Sequence, residues 1–343
     1  MIAMDTATAA EQPIGTEDVV YARVDGADLQ ARLYHPPGKA NAFPAIIDVH
    51  GGAWSTGDRK QGALYDIALA KAGILVIAID FRQGPKFKHP AGSADVAAAV
   101  RWARLNAEDL HVDPARIGLI GSSSGGHLAM LAGVKPNAKM HKGTPILDGK
   151  GVAKAHDDID ASVSYVIGMW PVSDPAARFR YAKRAGITGL QNGTNAYFTD
   201  EAAQWDASVP RIVTAGEAEK LPPLLIIQPG DDSNIPQDMT FDLLRAYQSR
   251  GGKLEYSFYP GMPHAFGHDG HEHAGATPTT ANRAQRTWTF RDTGAHLHAS
   301  FVSAKKGKVN VRRTDGELIS LEIEKLIDKD QKWLDERLAA HYG

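Results

Sequence analysis

Residues 116–132 constrain the fold of this chain more than any other stretch. Arg116-Ile117-Gly118-Leu119-Ile120 is a short apolar run that reads as a buried strand. Gly121-Ser122-Ser123-Ser124-Gly125-Gly126 follows, and His127-Leu128-Ala129-Met130-Leu131-Ala132 then reads as a helix. Small residues at the G-x-S-x-G spacing let a chain turn sharply from strand into helix, which pushes the central hydroxyl out of the sheet. Ser123 is therefore the candidate nucleophile. A Ser/Gly stretch alone is weak evidence, because most such stretches are flexible loops. Three further segments give it weight.

Strands and helices alternate around this turn. The strands are expected over residues 44–49, 73–79, 116–120, 162–167, 224–228 and 254–259, and the helices over 62–72, 93–107 and 239–249. This rhythm implies parallel β-α-β units with helices on both faces of the sheet. Residues 17–35 alternate polar and apolar about Asp25-Gly26 and read as an antiparallel hairpin. Residues 134–160 read as a surface insertion. Residues 171–221 read as an insertion above the strand ends, where a lid or substrate wall forms. After residue 275 the pattern changes to period-two alternation, with Asp315-Gly316 as a hairpin turn and Asp328 and Gln331 at capping-box spacing. The expected organisation is a flexible stretch over 1–16, an α/β domain over 17–275 and a small antiparallel β module with a terminal helix over 284–343.

Acyl transfer from serine needs a nucleophile, a base, an acid that holds the base, and N–H donors for the oxyanion. His50-Gly51-Gly52-Ala53-Trp54 follows the strand ending at Val49. The amides of Gly52 and Ala53, with that of Ser124, are the expected oxyanion donors. Asp231-Asp232 ends the strand 224–228, and Asp232 is preferred as the acid for its distance to Pro236. An acid at the carboxyl end of a parallel strand points into the ligand crevice. His264, on a loop after the last strand, is the expected base. A neutral imidazole is needed for the first step, so activity is expected to fall in acid. His50 reads as a brace for the loop. Trp54 and Trp170 are candidates for the pocket wall, with core packing as the alternative for Trp170. His264, His268, His271 and His273, with Asp269 and Glu272, also form a histidine-rich loop that could take zinc. The hydrolytic parts are complete without it, so neither metal nor cofactor is expected.

Composition excludes several classes. Of 343 residues, 38 are basic and 40 acidic, a formal net charge of -2, so nothing favours nucleic acid or an anionic membrane as partner. There is no cysteine, which removes a thiol nucleophile and thiolate metal sites. The first fifteen residues lack the basic start and apolar run of a signal peptide, so a cytoplasmic location is the default expectation.

Residues from about 17 to 270 resemble the α/β-hydrolase superfamily, specifically bacterial esterases of the acetyl-esterase, hormone-sensitive-lipase-like and feruloyl/acetyl-xylan-esterase kind. The segments that carry this are HGGAW at 50–54, Asp80-Phe81-Arg82 with Pro90, Asp113-Pro114-Ala115-Arg116-Ile117-Gly118, and GSSSGGHLA at 121–129. The resemblance implies an α/β-hydrolase fold, a triad of Ser123, Asp232 and His264, and no cofactor. The expected substrate is a small-molecule or polysaccharide-linked ester. Three departures stand out. Ala53 replaces the third glycine of the usual His-Gly-Gly-Gly. Gln228-Pro229 stands where many relatives have His-Gly. Only Thr279–Arg286 is available for the helix that usually follows the catalytic histidine. HGGAW also fits the His-Gly-Gly-x-Trp pattern of arylformamidases, which leaves an amide substrate open. Residues from about 286 to 338 resemble the SH3-like Sla1 homology domain 1, through Trp288, Gly294, Gly307-Lys308-Val309, Asp315-Gly316, Leu326 and Asp330-Gln331. That resemblance implies either peptide binding or docking within the chain.

Overall fold

The structure is a computed structural model and describes residues 13–38, 40, 42–268, 285–305, 307–313, 318–332 and 334. Two compact units divide the chain, Met1–Gly275 and Ala276–Gly343. The boundary region expected at 274–284, the turn at Asp315-Gly316 and the histidine-rich run after His268 lie outside the described residues.

The first unit is built on one ten-stranded sheet. Strands β1 (Gly15–Val24) and β2 (Ala27–His35) form the expected antiparallel hairpin. Its turn residues Asp25 and Gly26 have φ of 52° and 73°, the left-handed pair that a two-residue turn of this hand requires. Then come β3 (Phe43–Val49), β4 (Leu75–Ile79) and β5 (Val112–Ser122). They are followed by the two-residue β6 (Ile146–Leu147) and β7 (Ala153–Lys154), and by β8 (Val166–Met169), β9 (Leu224–Asp231) and β10 (Leu254–Pro263). The order across the sheet is β10-β9-β8-β5-β3-β4-β2-β1-β6-β7. The six strands from β10 to β4 run parallel.

The order reverses at β3. Its successor β4 lies on one side and β5 on the other, so a crevice opens at the carboxyl ends of β3 and β5. The HGGAW and GSSSGG segments follow these two strand ends. The topology therefore brings together two segments 70 residues apart in sequence.

Both faces of the sheet are covered, which is why these strands read as unbroken apolar runs. Ala45, Ile47 and Val49 of β3 point into a core with α2 (Ala91–Leu105) and α3 (Ser124–Val134), while Ile46 points into the opposite core with residues of α1 (Ala63–Lys71). The first core continues through Ile212 and Val213 of α7 (Val209–Ala215) and Leu243 and Tyr247 of α8 (Gln237–Ser249).

Two regions depart from the sequence expectation. Residues 134–160 were read as surface, but β6 pairs with the edge strand β1 and His141 is fully buried. The short hairpin covers that end of the sheet and ends its pairing. The strand expected at 162–167 begins only at Val166, where pairing with Leu119 of β5 starts. The insertion at 171–221 holds four helices: α4 (Pro175–Arg184), α5 (Thr188–Tyr197), α6 (Glu201–Asp206) and α7. Asp174 caps α4 by accepting from Ala177 N at 2.8 Å, and Asp200 caps α6 by accepting from Ala203 N at 2.8 Å. These caps stand in the sequence as Asp-Pro and Asp-Glu, ordinary helix starts.

The second unit contains β11 (Gln285–Thr289), β12 (His296–Lys305), β13 (Lys308–Arg313) and β14 (Leu318–Glu322), an antiparallel sheet in that order. Trp288, Val309, Val311, Leu321, Leu326 and Leu334 form its own core. Gln285 and Arg286 belong to β11, so the stretch left for a helix after His264 is shorter than Thr279–Arg286. The spacing of Asp328 and Gln331 does not act as a capping box, because the Gln331 backbone N–H donates to Ile327 O at 3.1 Å rather than to the Asp328 side chain. Among the described residues no helix is long and apolar enough to cross a membrane.

One buried ion pair ties the turn after β4 to α2. Arg82 Nη2 lies 2.7 Å from Asp95 Oδ1, and the Arg82 amide donates to Asp95 Oδ2 at 2.8 Å. The Asp95 side chain is 0% exposed, so removing its partner leaves a charge in the core. Arg82→Ala is expected to cost about 3–5 kcal/mol of stability, measured by urea denaturation. A loss under about 1 kcal/mol contradicts this account of the pair.

Candidate active site

Ser123 sits between β5 and α3 with φ 52° and ψ −117°. A non-glycine residue in this region is strained and is held there by its surroundings. The Ser123 amide donates to Met169 O at 2.9 Å, and Ser123 O accepts from Val172 N at 3.0 Å. Gly125 makes the turn feasible. A Cβ there would lie 2.0 Å from Val49 O and 2.2 Å from His50 O. The last glycine of G-x-S-x-G is thus the contact through which α3 packs on the end of β3.

The candidate base and acid meet the serine. His264 Nε2 lies 3.0 Å from Ser123 Oγ, and His264 Nδ1 lies 2.9 Å from Asp232 Oδ2. The Asp232 side chain is 0% exposed. Its other oxygen accepts from the amides of Asn234 and Ile235 at 2.8 and 2.9 Å, which fixes the carboxylate. Asp231, the alternative acid, is exposed. These distances allow Nδ1–H to donate to Asp232 while Nε2 accepts from the serine hydroxyl.

The oxyanion-side loop is the segment after β3. Gly52 has φ 104°, and a Cβ on it would lie 2.0 Å from Thr56 O, so only glycine fits. Ala53 and Trp54 also have positive φ, 51° and 60°. Such a run of left-handed residues turns successive amides toward one concavity. The amides of Gly52, Ala53 and Ser124 have no hydrogen-bond acceptor among the described residues. They are the donors expected from sequence.

Trp54 is a correction. It is 0% exposed and does not line the cleft. Its ring stacks on Tyr197 at 6.0 Å and meets Phe198 edge-on at 5.1 Å. Its Nε1–H donates to His127 Nδ1 at 3.2 Å, and His127 Nε2–H donates to Ala207 O at 2.9 Å. Burial drives His127 down to about 3, so the ring stays neutral and keeps this tautomer. The Trp54 backbone N–H also donates to Ser124 Oγ at 3.1 Å. Trp54 therefore locks the loop against the elbow. His50 braces the same loop from the other end, stacked on Phe81 at 4.4 Å with Nδ1 2.7 Å from Gly51 O.

Trp170 does reach the cleft. It lies edge-on to His264 at 6.3 Å and packs on Phe266 at 5.0 Å. The cleft measures about 380 Å³. Its walls include Gly52, Ala53, Ser123, Trp170 and His264, with Arg178 and Leu190 from the inserted helices. Sequence reasoning missed Arg178; a lone arginine on a helix carries no signal of burial. His268 also lines the cleft, stacked on Tyr65 at 5.9 Å. Among the described residues no group of three or more His, Asp or Glu side chains could hold a metal ion.

The BD-FAE family model matches residues 32–246. The chain belongs to the BD-FAE family. It is an α/β-hydrolase and a serine esterase. This BD-FAE protein is 26% identical over 267 residues to an ethyl acetate hydrolase of Pseudomonas putida, across 75% of this chain and 77% of that protein. It is 31% identical over 230 residues to esterase LipC of Mycobacterium tuberculosis, across 65% of this chain and 53% of LipC. Among solved structures, the butyrate-bound esterase Est2 of Thermogutta terrifontis superposes with a TM-score of 0.57 at 25% identity, covering 74% of this chain and 85% of that one. The matched family region ends before the C-terminal unit begins.

Sequence reasoning also missed a buried carboxyl pair on β3 and α1. Asp48 of β3 and Asp66 of α1 are buried, and Tyr65 Oη donates to Asp48 Oδ1 at 3.0 Å. Burial raises Asp48 to about 7, and burial plus the Asp48 charge raises Asp66 as well. The unfolded carboxyl titrates near 3.8. Between those values the folded chain holds a proton that the unfolded chain releases. This contribution to stability is present in acid and is lost as pH rises toward about 7. Asp48→Asn is expected to raise the melting temperature at pH 8, with a smaller rise at pH 5. Thermal unfolding at both pH values checks this; an equal or reversed pair of shifts contradicts it.

Proposed function

We propose that this serine esterase hydrolyses short-chain acyl or feruloyl/acetyl esters, on small molecules or on plant polysaccharide, through an acyl-enzyme on Ser123. The observation that carries the reading is the 3.0 Å and 2.9 Å relay from Ser123 through His264 to buried Asp232, opening on a cleft of about 380 Å³. That volume suits a small ligand. Short acyl groups also fit what the relatives' names state, ethyl acetate for one and butyrate for another.

In this reading Ser123 Oγ attacks the carbonyl carbon while its proton passes to His264 Nε2. Asp232 holds the imidazole and stabilises its charged form. The carbonyl oxygen becomes an oxyanion and takes hydrogen bonds from the amides of Gly52, Ala53 and Ser124. Collapse breaks the ester C–O bond, and His264 returns the proton to the departing alcohol. Water, deprotonated by His264, then attacks the acyl-enzyme; collapse breaks the bond between the acyl carbon and Ser123 Oγ, His264 returns the proton to Oγ, and the acid is released. No cofactor enters these steps. The C-terminal unit, by its similarity to Sla1 homology domain 1, is taken as a peptide-binding or docking module outside this chemistry.

Ser123→Ala is expected to lower kcat/KM on 4-nitrophenyl acetate and butyrate by roughly a thousandfold or more. Initial rates on these esters, 4-nitrophenyl octanoate, methyl ferulate, acetylated xylan and N-formylkynurenine rank the substrates. Retained activity in the variant overturns the nucleophile assignment. Preference for the formyl compound moves the reading to an amidase.

A further inference from the structure

We propose that Arg178 makes the cleft selective for esters that carry a carboxylate close to the scissile bond. The inference rests on the esterase reading of the same site and adds a substrate class to it.

Arg178 comes from α4, lines the cleft and is 2% exposed. Buried arginines are ordinarily paired. Arg178 has no ion-pair partner among the described residues, and burial alone sets its acidity. Burial pulls it down to about 10, so it stays cationic at neutral pH. Its Nη2 donates to Thr194 Oγ1 at 2.8 Å. That hydroxyl is itself committed as a donor to Leu190 O at 2.9 Å, so it can offer Arg178 only a lone pair. The Nε–H is buried without an acceptor. A guanidinium has five N–H donors, so most of this one is unspent.

The nearby alternatives do not discharge it. The guanidinium carbon lies 5.1 Å from the Trp54 ring centroid, a cation–π contact that supplies no hydrogen-bond acceptor lone pair and no negative charge. Asp232 is occupied by His264 and by two amides. No Asp or Glu lines the cleft, and Arg178 is the one lining residue there with a fixed charge among those described. A desolvated guanidinium without an ion-pair partner, lining the same cleft as Ser123, is the complement of a carboxylate, which takes two parallel N–H bonds. The cost of burying the cation is then offset in the bound complex. The carboxylate can sit on the acyl or the alcohol side of the ester; the chemistry at Arg178 is the same.

Two matched pairs test this. 4-Nitrophenyl hemisuccinate against its methyl ester places the charge on the acyl side, read as released 4-nitrophenolate. 4-Acetoxybenzoate against its methyl ester places it on the alcohol side, read as released acetate. In wild type, the charged member of one pair is expected to exceed its neutral partner in kcat/KM by about tenfold or more. Arg178→Met is expected to bring that ratio to about one or below, and Arg178→Lys to leave it between the two, because a point charge replaces the fork. A wild-type ratio of one or less in both pairs overturns the proposal without any variant, should Arg178→Met fail to fold. So does an Arg178→Met protein that loses both members of a pair by the same factor. Turnover of 4-nitrophenyl acetate, abolished in Ser123→Ala, reports separately on the esterase reading.

Discussion

The cleft depends on one backbone constraint: Ser123 held at φ 52° between β5 and α3. The strained turn puts the hydroxyl within 3.0 Å of His264 and leaves the Ser124 amide free at the start of a helix. It persists because β3, β5 and β8 clamp it. Met169 O and Val172 N bond the backbone of Ser123, and Gly125 lies on the last carbonyls of β3. Relaxing the turn breaks these contacts together, so the strain is stored where the chemistry needs it.

The second half of the site is set by aromatic packing. The oxyanion-side loop has three successive residues at positive φ, two of them with side chains. Trp54, buried among Tyr197, Phe198 and His127, holds that conformation against its cost. The neutral His127 turns the same anchor into a hydrogen-bonded chain that runs from the loop to Ala207. The inserted helices thus do more than roof the cleft. They supply the wall that keeps the loop in shape, and Arg178 enters the cleft from the same packing.

Three kinds of buried charge behave differently. Asp95 is matched by Arg82, and Asp232 by His264 and two amides. Asp48 and Asp66 have no cationic partner among the described residues and answer by holding protons. Arg178 has neither route, since a guanidinium stays charged at neutral pH. Partner, proton or ligand are the outcomes that low dielectric permits.

The amino-acid sequence by itself determined the alternation of strands and helices, the elbow at Ser123, and the candidate acid and base that follow in order. These are local signals: apolar runs, obligatory glycines, and carboxylate or imidazole groups just past strand ends. It preferred Asp232 over the adjacent Asp231 only by spacing to Pro236. Tertiary structure separated them, because Asp232 Oδ2 alone is brought to His264 while Asp231 faces solvent. It also moved Trp54 from the expected pocket wall into the core, and it gave residues 171–221 their helices and a buried arginine. The reason is range. Burial and pairing depend on segments distant along the chain, as with Trp54 and His127, 73 residues apart. No periodicity in a window of sequence carries that information.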